Sequence, residues 1–253
     1  MKTLGRLSSF RSLIVFLTIL PVGKASADLS DLGRVWFLSP LVGVLIGAIA
    51  GAIGWIASTT LPSLVVGSLA IGLIILITGG HHLDGLLDFG DALMVHGPPE
   101  RRIEAMHEKA LGAGGFALGL FVPILTIASF ITLNPNVIIQ TLIVSELSAK
   151  LSMVAASRFG NASHEGTGST VVKAMHGTDG NVKLLASIAI SLAIAGLLMQ
   201  YAGLAAVTTS IICALLMTAI ANHEFKSLTG DVLGATNEIA RMISLLTLLA
   251  VTL

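Results

Sequence analysis

Charged residues are scarce in this chain. Only 11% of its 253 residues are Asp, Glu, Lys or Arg, whereas 54% are hydrophobic and the mean hydropathy is +0.92. Because soluble domains carry about a quarter charged residues, this composition excludes an ordinary soluble protein. The formal net charge is zero, so the chain also lacks the basic surface typical of nucleic-acid binding. We therefore expect an integral membrane protein with the lipid bilayer, and no nucleic acid, as its partner.

Cysteine and aromatic residues are equally few. The single cysteine, Cys213, lies in an apolar run, so no intrachain disulfide can form. Aromatic residues make up 5% of the chain, but glycine occurs 27 times. Small residues allow membrane helices to approach one another closely. The sequence thus predicts an all-α, multi-pass transmembrane helical bundle that forms one domain over residues 1–253.

Apolar segments long enough, or just long enough, to cross a bilayer recur along the chain. The segment 184–221 is too long for one span, and we expect it to break near residues 201–203 into two. This gives about seven spans, which are 36–57, 61–77, 114–132, 137–157, the two parts of 184–221, and 232–253.

Residues 1–27 have two interpretations. Basic residues precede the apolar run Leu13–Leu20, and the sequence Ala-Ser-Ala at 25–27 resembles a cleavage site, which is the pattern of a secretory signal peptide. The run is also too short for an ordinary span, and it suits a short interfacial or re-entrant segment that ends at Pro21.

The distribution of charge predicts the topology. The polar stretches 78–111, 158–183 and 222–231 are separated by pairs of spans, so they share one side of the membrane with residues 1–34. The connectors on the other side contain no Lys, Arg, Asp or Glu. Because Lys and Arg concentrate on the cytoplasmic side, we expect these stretches at the cytoplasmic face of the cell membrane.

The stretch 78–91 reads TGGHHLDGLLDFGD and concentrates the chemistry. Asp84, Asp88 and Asp91 are spaced by four and three residues, which places them on one face of a helix. Three stacked carboxylates repel one another, so this face requires a cation or protonation. Their oxygens suit Mg²⁺, which proteins hold with a few carboxylates and substrate phosphates. The alternative is a helix cap at Asp84 with the other two carboxylates solvated.

The remaining polar segments supply further candidates. Residues 100–109 form a predicted amphipathic surface helix whose Arg101, Arg102 and Lys109 suit phosphate oxygens, although a solvated face explains much of the pattern. The loop 164–169 is rich in small residues that could hold an anion on backbone N–H groups. Asp231, in the sequence LTGDVLGA, is a candidate ligand or an ordinary helix cap. Together these groups indicate phosphoryl or nucleotidyl transfer.

One charged pair lies inside a predicted span. Glu146 and Lys150 are four residues apart, so they can pair on one face of a helix. Ionisable residues inside a membrane are costly and usually functional. A neutralising structural pair between helices is the equally weighted alternative.

The motifs resemble those of the cobalamin synthase (adenosylcobinamide-GDP ribazoletransferase) family. Residues 79–91 match its GGxHLDGLxDxxD signature, and residues 228–235 are similar to its LTGDxLGA. Residues 16–22 and 165–168 are similar to its FLTxLPV and EGxG segments. Where the family has an arginine before residues 112–113, this chain has the sequence EKAL at 108–111, so a phosphate contact there would pass to Lys109 or Arg102. The resemblance also implies that the first residues belong to the mature protein.

The resemblance implies a Mg²⁺-dependent enzyme of vitamin B12 biosynthesis. It would join adenosylcobinamide-GDP to the ribose hydroxyl of α-ribazole, or of its phosphate, and release GMP; a homo-oligomer is left open. The implied site has catalytic residues His82, Asp84 and Asp88, metal ligands Asp84, Asp88 and Asp91, and substrate-binding residues Arg101, Arg102, Lys109, Glu165, Thr229 and Asp231.

Two other functions fit a polytopic chain. A transporter would place carboxylates near the bilayer midplane and show inverted repeats, whereas here the carboxylates gather at one face. A CDP-alcohol-type phosphotransferase would require an Ala-Arg step after its Asp-Gly, and Leu87-Asp88 stands at the corresponding place.

Overall fold

The computed structural model describes residues 2–23, 29–162 and 166–252, and these residues are helical with no β-strand. The α-helices are α1 Lys2–Leu17, α2 Leu29–Val35, α3 Ser39–Ala57, α4 Ser63–Ile77, α5 His81–Met94, α6 Pro99–Met106, α7 Ala113–Ala128, α8 Ile138–Phe159, α9 Thr167–Met175, α10 Gly180–Glu224 and α11 Gly230–Thr252. Short 3₁₀ turns precede α3 and α8 and follow α7.

Helix α8 is the central element of the bundle. Nearly all of its side chains are buried, and α3, α10 and α11 pack around it. On α3, Gly43, Gly47 and Gly51 repeat every four residues, and a Cβ atom at any of them would overlap the backbone of α8. These glycines therefore allow two membrane helices to come into direct backbone contact, as the high glycine content predicts.

Five of the helical segments are long and apolar enough to cross a membrane, and a sixth results if the bent pair α4–α5 is one span. The protein is therefore an integral membrane protein, although the predicted number of seven spans is not confirmed. This count treats α10 as one element. Its backbone is not helical at Met199 and Gln200, and a Cβ atom on Gly203 would overlap Ala195. Residues eight apart in a straight helix are about 12 Å apart, so the chain reverses here, close to the predicted break.

A sharp corner joins α4 to α5. Gly79 and Gly80 adopt left-handed backbone angles, with φ of 64° and 73°, and the two helices differ in direction by 93°. Glycine adopts this conformation without the Cβ penalty that other residues carry. The corner turns α5 across the first turns of α7 and α11: Gly90 lies against the backbone of Gly114, and Gly85 lies against that of Asp231. Helix α5 therefore lies at the end of the bundle where α7 and α11 begin.

The N-terminal helix packs on the same end of the bundle. Leu13 and Leu17 are buried, and the ring of Phe16 meets that of Trp36 edge to face with a centroid distance of 6.1 Å. The backbone N–H of Ile19 donates to the carbonyl of Ile77 at 2.8 Å. This packing agrees with an interfacial segment, and residues 25–27 lie outside the described part of the chain.

Candidate active site

The carboxylates of α5 form the centre of the site. Asp84, Asp88 and Asp91 lie on one helix, as their spacing predicts, with Asp84 exposed and the other two half-buried. Partial burial, followed by the negative charges of Asp84, Asp231 and Asp91, raises the pKa of Asp88 from 3.8 to about 6. This mutual repulsion is the physical reason why a cation would be held here.

A fourth carboxylate, that of Asp231, approaches from α11. Gly85 on α5 has no side chain, and a Cβ atom there would lie 2.7 Å from the carbonyl oxygen of Asp231. Gly234, one turn further along α11, lies similarly close to His82. The two glycines let α5 and the first turn of α11 touch, which adds Asp231 to the carboxylates of α5.

Asp91 has a second role. Its Oδ2 accepts a hydrogen bond from the backbone N–H of Gly112, and its Oδ1 accepts one from that of Gly115, both at 2.8 Å. These N–H groups belong to the start of α7, which has no partners for them within the helix. Asp91 thus caps α7 across 21 to 24 residues of sequence, and its role as a metal ligand stays a prediction.

In the described part of the chain, no three His, Cys, Asp or Glu side chains meet closely enough to enclose a metal ion by themselves. Mg²⁺ does not require such an enclosure, because it usually keeps several waters and binds one or two carboxylates together with substrate phosphates. The oxygen-only, mutually repelling carboxylates of Asp84, Asp88 and Asp231 fit that mode of binding.

His82 is buried beside these carboxylates, and its Nδ1 has no hydrogen-bond partner among the described residues. Burial, together with the positive charges of Lys150 and Arg241, holds the pKa of His82 well below its usual value. The imidazole is therefore neutral, and a neutral ring nitrogen can accept a proton.

Two cavities meet at this centre. The first, of about 550 Å³, is lined by His82, Asp84 and Asp231 and by apolar side chains of α1, α9 and α11. The second, of about 600 Å³, is lined by polar and charged groups, including His107, Lys226 and Thr229, and by apolar residues such as Ile103 and Phe225. Gly168, Gly230 and Asp231 border both cavities. Gly168 approaches the backbone of Gly230 so closely that a Cβ atom would lie 2.6 Å from its nitrogen, so the start of α9 and the start of α11 form a common edge.

The structure does not bring all the predicted substrate contacts to these cavities. Arg101 and Lys109 are exposed, and neither they nor Arg102 line the two cavities described. Arg102 instead donates to the carbonyl oxygen of Leu93 at 2.9 Å and forms an ion pair with Glu224 at 3.2 Å, which holds α6 against the end of α5.

The predicted contacts of the loop 164–169 and of the segment 228–235 have mixed outcomes. Thr229 lines the second cavity, and its hydroxyl oxygen accepts a hydrogen bond from the backbone N–H of Val232 at 3.3 Å. Asp231 lines both cavities. Glu165 lies outside the described residues.

Two residues of the second cavity were missed by the sequence analysis. His107 follows α6, and Lys226 lies between α10 and α11 with a left-handed φ of 59°. This backbone conformation costs a lysine about 1–2 kcal/mol. In the described part of the chain, the ammonium group of Lys226 forms no ion pair with a carboxylate. The available signal was that Lys226 lies two residues before the LTGD sequence that begins at Leu228.

The buried pair Glu146–Lys150 belongs to a larger network. Lys150 lies 3.5 Å from Glu146 and donates to Asn237 at 2.7 Å. Arg241 on α11 pairs with both Glu146 and Glu238. Two cations and two carboxylates thus neutralise one another inside the bundle and tie α8 to α11, in agreement with the structural interpretation of the pair.

Comparison with known proteins relates the chain to one family. Residues 9–249 match the family model described as cobalamin-5-phosphate synthase. The chain is 31% identical to the adenosylcobinamide-GDP ribazoletransferase of Methanococcoides burtonii, over 96% of this chain and 92% of that protein. It is 33% identical to the protein of the same name from Methanocella arvoryzae, over 94% of both chains. No solved structure matches the chain.

Proposed function

Because the chain belongs to the cobalamin-5-phosphate synthase family, we propose that it is an adenosylcobinamide-GDP ribazoletransferase whose reaction occurs where α5 meets the first turn of α11. It is a membrane-embedded enzyme of cobalamin biosynthesis. The observation that carries the proposed location is that Asp231 borders two cavities while Asp84 lies in one of them. Two substrates bound in adjoining cavities would meet beside these carboxylates.

We propose that the ribose hydroxyl oxygen of α-ribazole attacks the phosphorus attached to cobinamide. The bond from this phosphorus to the GMP oxygen breaks, and GMP leaves with the bonding electrons. His82 is neutral and borders the first cavity. It would accept the hydroxyl proton while the new bond forms, which is general base catalysis.

We propose that Asp84 and Asp88, with help from Asp231, hold Mg²⁺ together with the diphosphate. The ion would offset the negative charge that develops on the phosphate oxygens. Asp91 would stabilise this arrangement chiefly through its hydrogen bonds to α7. Lys226 and His107, in the second cavity, are suited to contact the phosphates on the GMP side.

We also propose that the site faces the cytoplasm from the cell membrane. The polar segments on either side of the site carry most of the Lys and Arg residues, and such residues concentrate on the cytoplasmic side. The water-soluble substrates would then reach both cavities without crossing the bilayer. A homo-oligomer stays an open prediction.

The test is GMP release by the purified protein in detergent, supplied with adenosylcobinamide-GDP, α-ribazole and Mg²⁺. We expect GMP and cobalamin to form in equal amounts and EDTA to abolish both. Asp84→Asn should reduce the rate at least 100-fold while the protein remains folded. The matched control is Asp179→Asn, because the Asp179 side chain is 60% exposed and is paired with Lys183 of the same helix region, away from the two cavities described, so the change should be silent. Absence of GMP from folded wild-type protein would reject the proposal and favour the transporter.

A further inference from the structure

We infer that Arg102 is a positioning residue, which sets the width of the second cavity by tying α6 to the ends of α5 and α10. This inference rests on the proposed function, which places the reaction beside that cavity, and it holds whichever substrate binds there. Arg102 does not border the cavity itself. Its effect on the reaction therefore passes through the helix that carries it.

Helix α6 forms one wall of the second cavity. Pro99, Glu100 and Ile103 of this helix line the cavity, and so does His107, which follows directly after it. Another large part of the lining belongs to the segment 225–231, which leads from the end of α10 into α11. The width of the cavity thus depends on how far α6 lies from that segment.

Burial of apolar side chains does not by itself fix the position of α6. The helix has eight residues, of which only Met106 is buried. Helices this short are unstable alone and depend on contacts with the rest of the protein. Met106 supplies one such contact at the end of the helix, where its sulfur accepts a hydrogen bond from the hydroxyl of Thr229 at 3.3 Å. The preceding turn requires an attachment of its own.

The guanidinium of Arg102 supplies that attachment. Its Nη1 donates to the carbonyl oxygens of Leu93 at 2.9 Å and Ala92 at 3.4 Å, which are among the last carbonyls of α5. Its Nη2 lies 3.2 Å from Oε2 of Glu224, the last residue of α10. The final carbonyls of a helix have no partner within it and carry a partial negative charge. One cation on α6 therefore stabilises the ends of two other helices and is held by both.

The contacts of Arg102 reach directly into the cavity lining. The side chains of Arg102 and Glu224 are only 15% and 29% exposed, so their ion pair is less screened than an ordinary surface pair. Glu224 immediately precedes Phe225 and Lys226, which line the cavity. The ring of Phe225 also meets that of Phe89 on α5 edge to face, with a centroid distance of 5.9 Å. This ring contact should keep the end of α10 on α5 when Arg102 is replaced, so that α6 alone is released.

The experiment compares Arg102→Gln with the matched control Lys183→Gln. Lys183 also forms an ion pair, at 3.1 Å with Asp179, its side chain is also 15% exposed, and it borders neither of the two cavities described. We expect Arg102→Gln to raise the KM for one of the two substrates about 10-fold and to leave the other KM unchanged. Lys183→Gln should change neither. Lys226→Gly, which alters the same cavity, should raise the KM for the same substrate as Arg102→Gln.

Further variants separate positioning from a loss of folded protein. A smaller folded fraction lowers the apparent kcat and leaves both KM values unchanged. Arg102→Lys keeps a cation that can pair with Glu224, so it should recover part of the affinity. Glu224→Gln removes the ion pair but leaves the contacts with α5, so its effect should be smaller than that of Arg102→Gln. A fall in kcat with both KM values unchanged would overturn the inference, and so would equal effects of Arg102→Gln and Lys183→Gln.

Hydrogen exchange, followed by mass spectrometry, gives a readout that does not depend on turnover. Arg102→Gln should accelerate amide exchange in residues 99–106 about 10-fold or more, while exchange in α8 stays as in the wild type. Unchanged exchange in α6, or acceleration throughout the bundle, would overturn the inference. Wild-type protein that releases no GMP would reject the proposed reaction, and the exchange of α6 would then still decide whether Arg102 holds this helix.

Discussion

The carboxylate of Asp91 accepts a hydrogen bond at 2.8 Å from the backbone N–H of Gly115, so a residue of the signature motif caps a helix that begins 22 residues later. We predict that Asp91→Ala destabilises the protein by about 1–2 kcal/mol, as is usual for the loss of a cap. Asp91→Asn keeps one acceptor oxygen and should lose less. Thermal unfolding in detergent measures both. An Asp91→Ala protein that is inactive but as stable as wild type would instead indicate direct ligation of metal.

Partial burial and the neighbouring negative charges give a prediction for Asp88. Its pKa of about 6 in the folded protein lies above the ordinary 3.8. The folded state thus binds more protons than the unfolded state between these values, and stability falls as the pH rises through that interval. Asp88→Asn should therefore stabilise the metal-free protein above pH 6, by about 1 kcal/mol after allowance for solvent screening, while it abolishes activity.

The pH dependence supplies the control for Asp88→Asn. The gain in stability should shrink as the pH is lowered from 7 to 4, because the wild-type carboxyl becomes neutral as well. Denaturant titrations in EDTA at several pH values would measure it. A gain that is independent of pH would show that the burial and repulsion of the Asp88 charge are not its cause.

The contact between α5 and α11 predicts different outcomes for two glycines. A methyl group on Gly85 would lie 2.7 Å from the carbonyl oxygen of Asp231, whereas no described atom lies within 4 Å of the corresponding position on Gly72. Gly85→Ala should separate the helices, destabilise the protein by about 1–3 kcal/mol and reduce kcat. Gly72→Ala lies within α4 and should be neutral or stabilising by up to about 1 kcal/mol. Equal behaviour of the two variants would show that the helix contact does not position the site.

The buried ion network predicts strong coupling. Arg241→Gln leaves Glu146 and Glu238 with only Lys150 as a counter-charge inside the bundle. The cost of such an uncompensated buried charge is about 3–5 kcal/mol. The double variant Glu146→Gln with Arg241→Gln restores neutrality and should be more stable than Arg241→Gln alone. A double-mutant cycle measures this coupling, and simple additivity would contradict it.

Lys226 should show a trade-off between activity and stability. Lys226→Gly removes the cost of its left-handed conformation, so we expect a gain of up to about 1 kcal/mol in stability. It also removes the cation from the second cavity, so the KM for adenosylcobinamide-GDP should rise about 10-fold or more. Lys109→Gln is the control, because Lys109 borders neither of the two cavities described. If only Lys109→Gln weakens donor binding, the sequence-based assignment was the better one.

Much of the fold was predictable from local sequence patterns. Apolar runs predicted α3, α7, α8 and α11 to within a few residues, and the spacing of the aspartates predicted their common helical face. These features depend on neighbours in sequence, because helical periodicity and backbone freedom act over a few residues.

Contacts between distant residues were not predictable in the same way. Arg102 looked like a phosphate ligand, but Glu224 lies beside it only because α10 returns to α6. Arg241 joined Glu146 across 95 residues, and the cap of α7 by Asp91 depends on where α5 lies in space. Such pairings are decided by tertiary packing, for which a single sequence has no periodic signal.

The right-angled corner at Gly79 and Gly80 has a consequence for the effect of lipids. Helix α5 lies across the first turns of α7 and α11, so the distance between Asp84 and Asp231 depends on how these two helices are inclined. The inclination of a spanning helix responds to the match between its apolar length and the hydrocarbon thickness of the bilayer. Acyl-chain length is thereby linked mechanically to the geometry of the carboxylates.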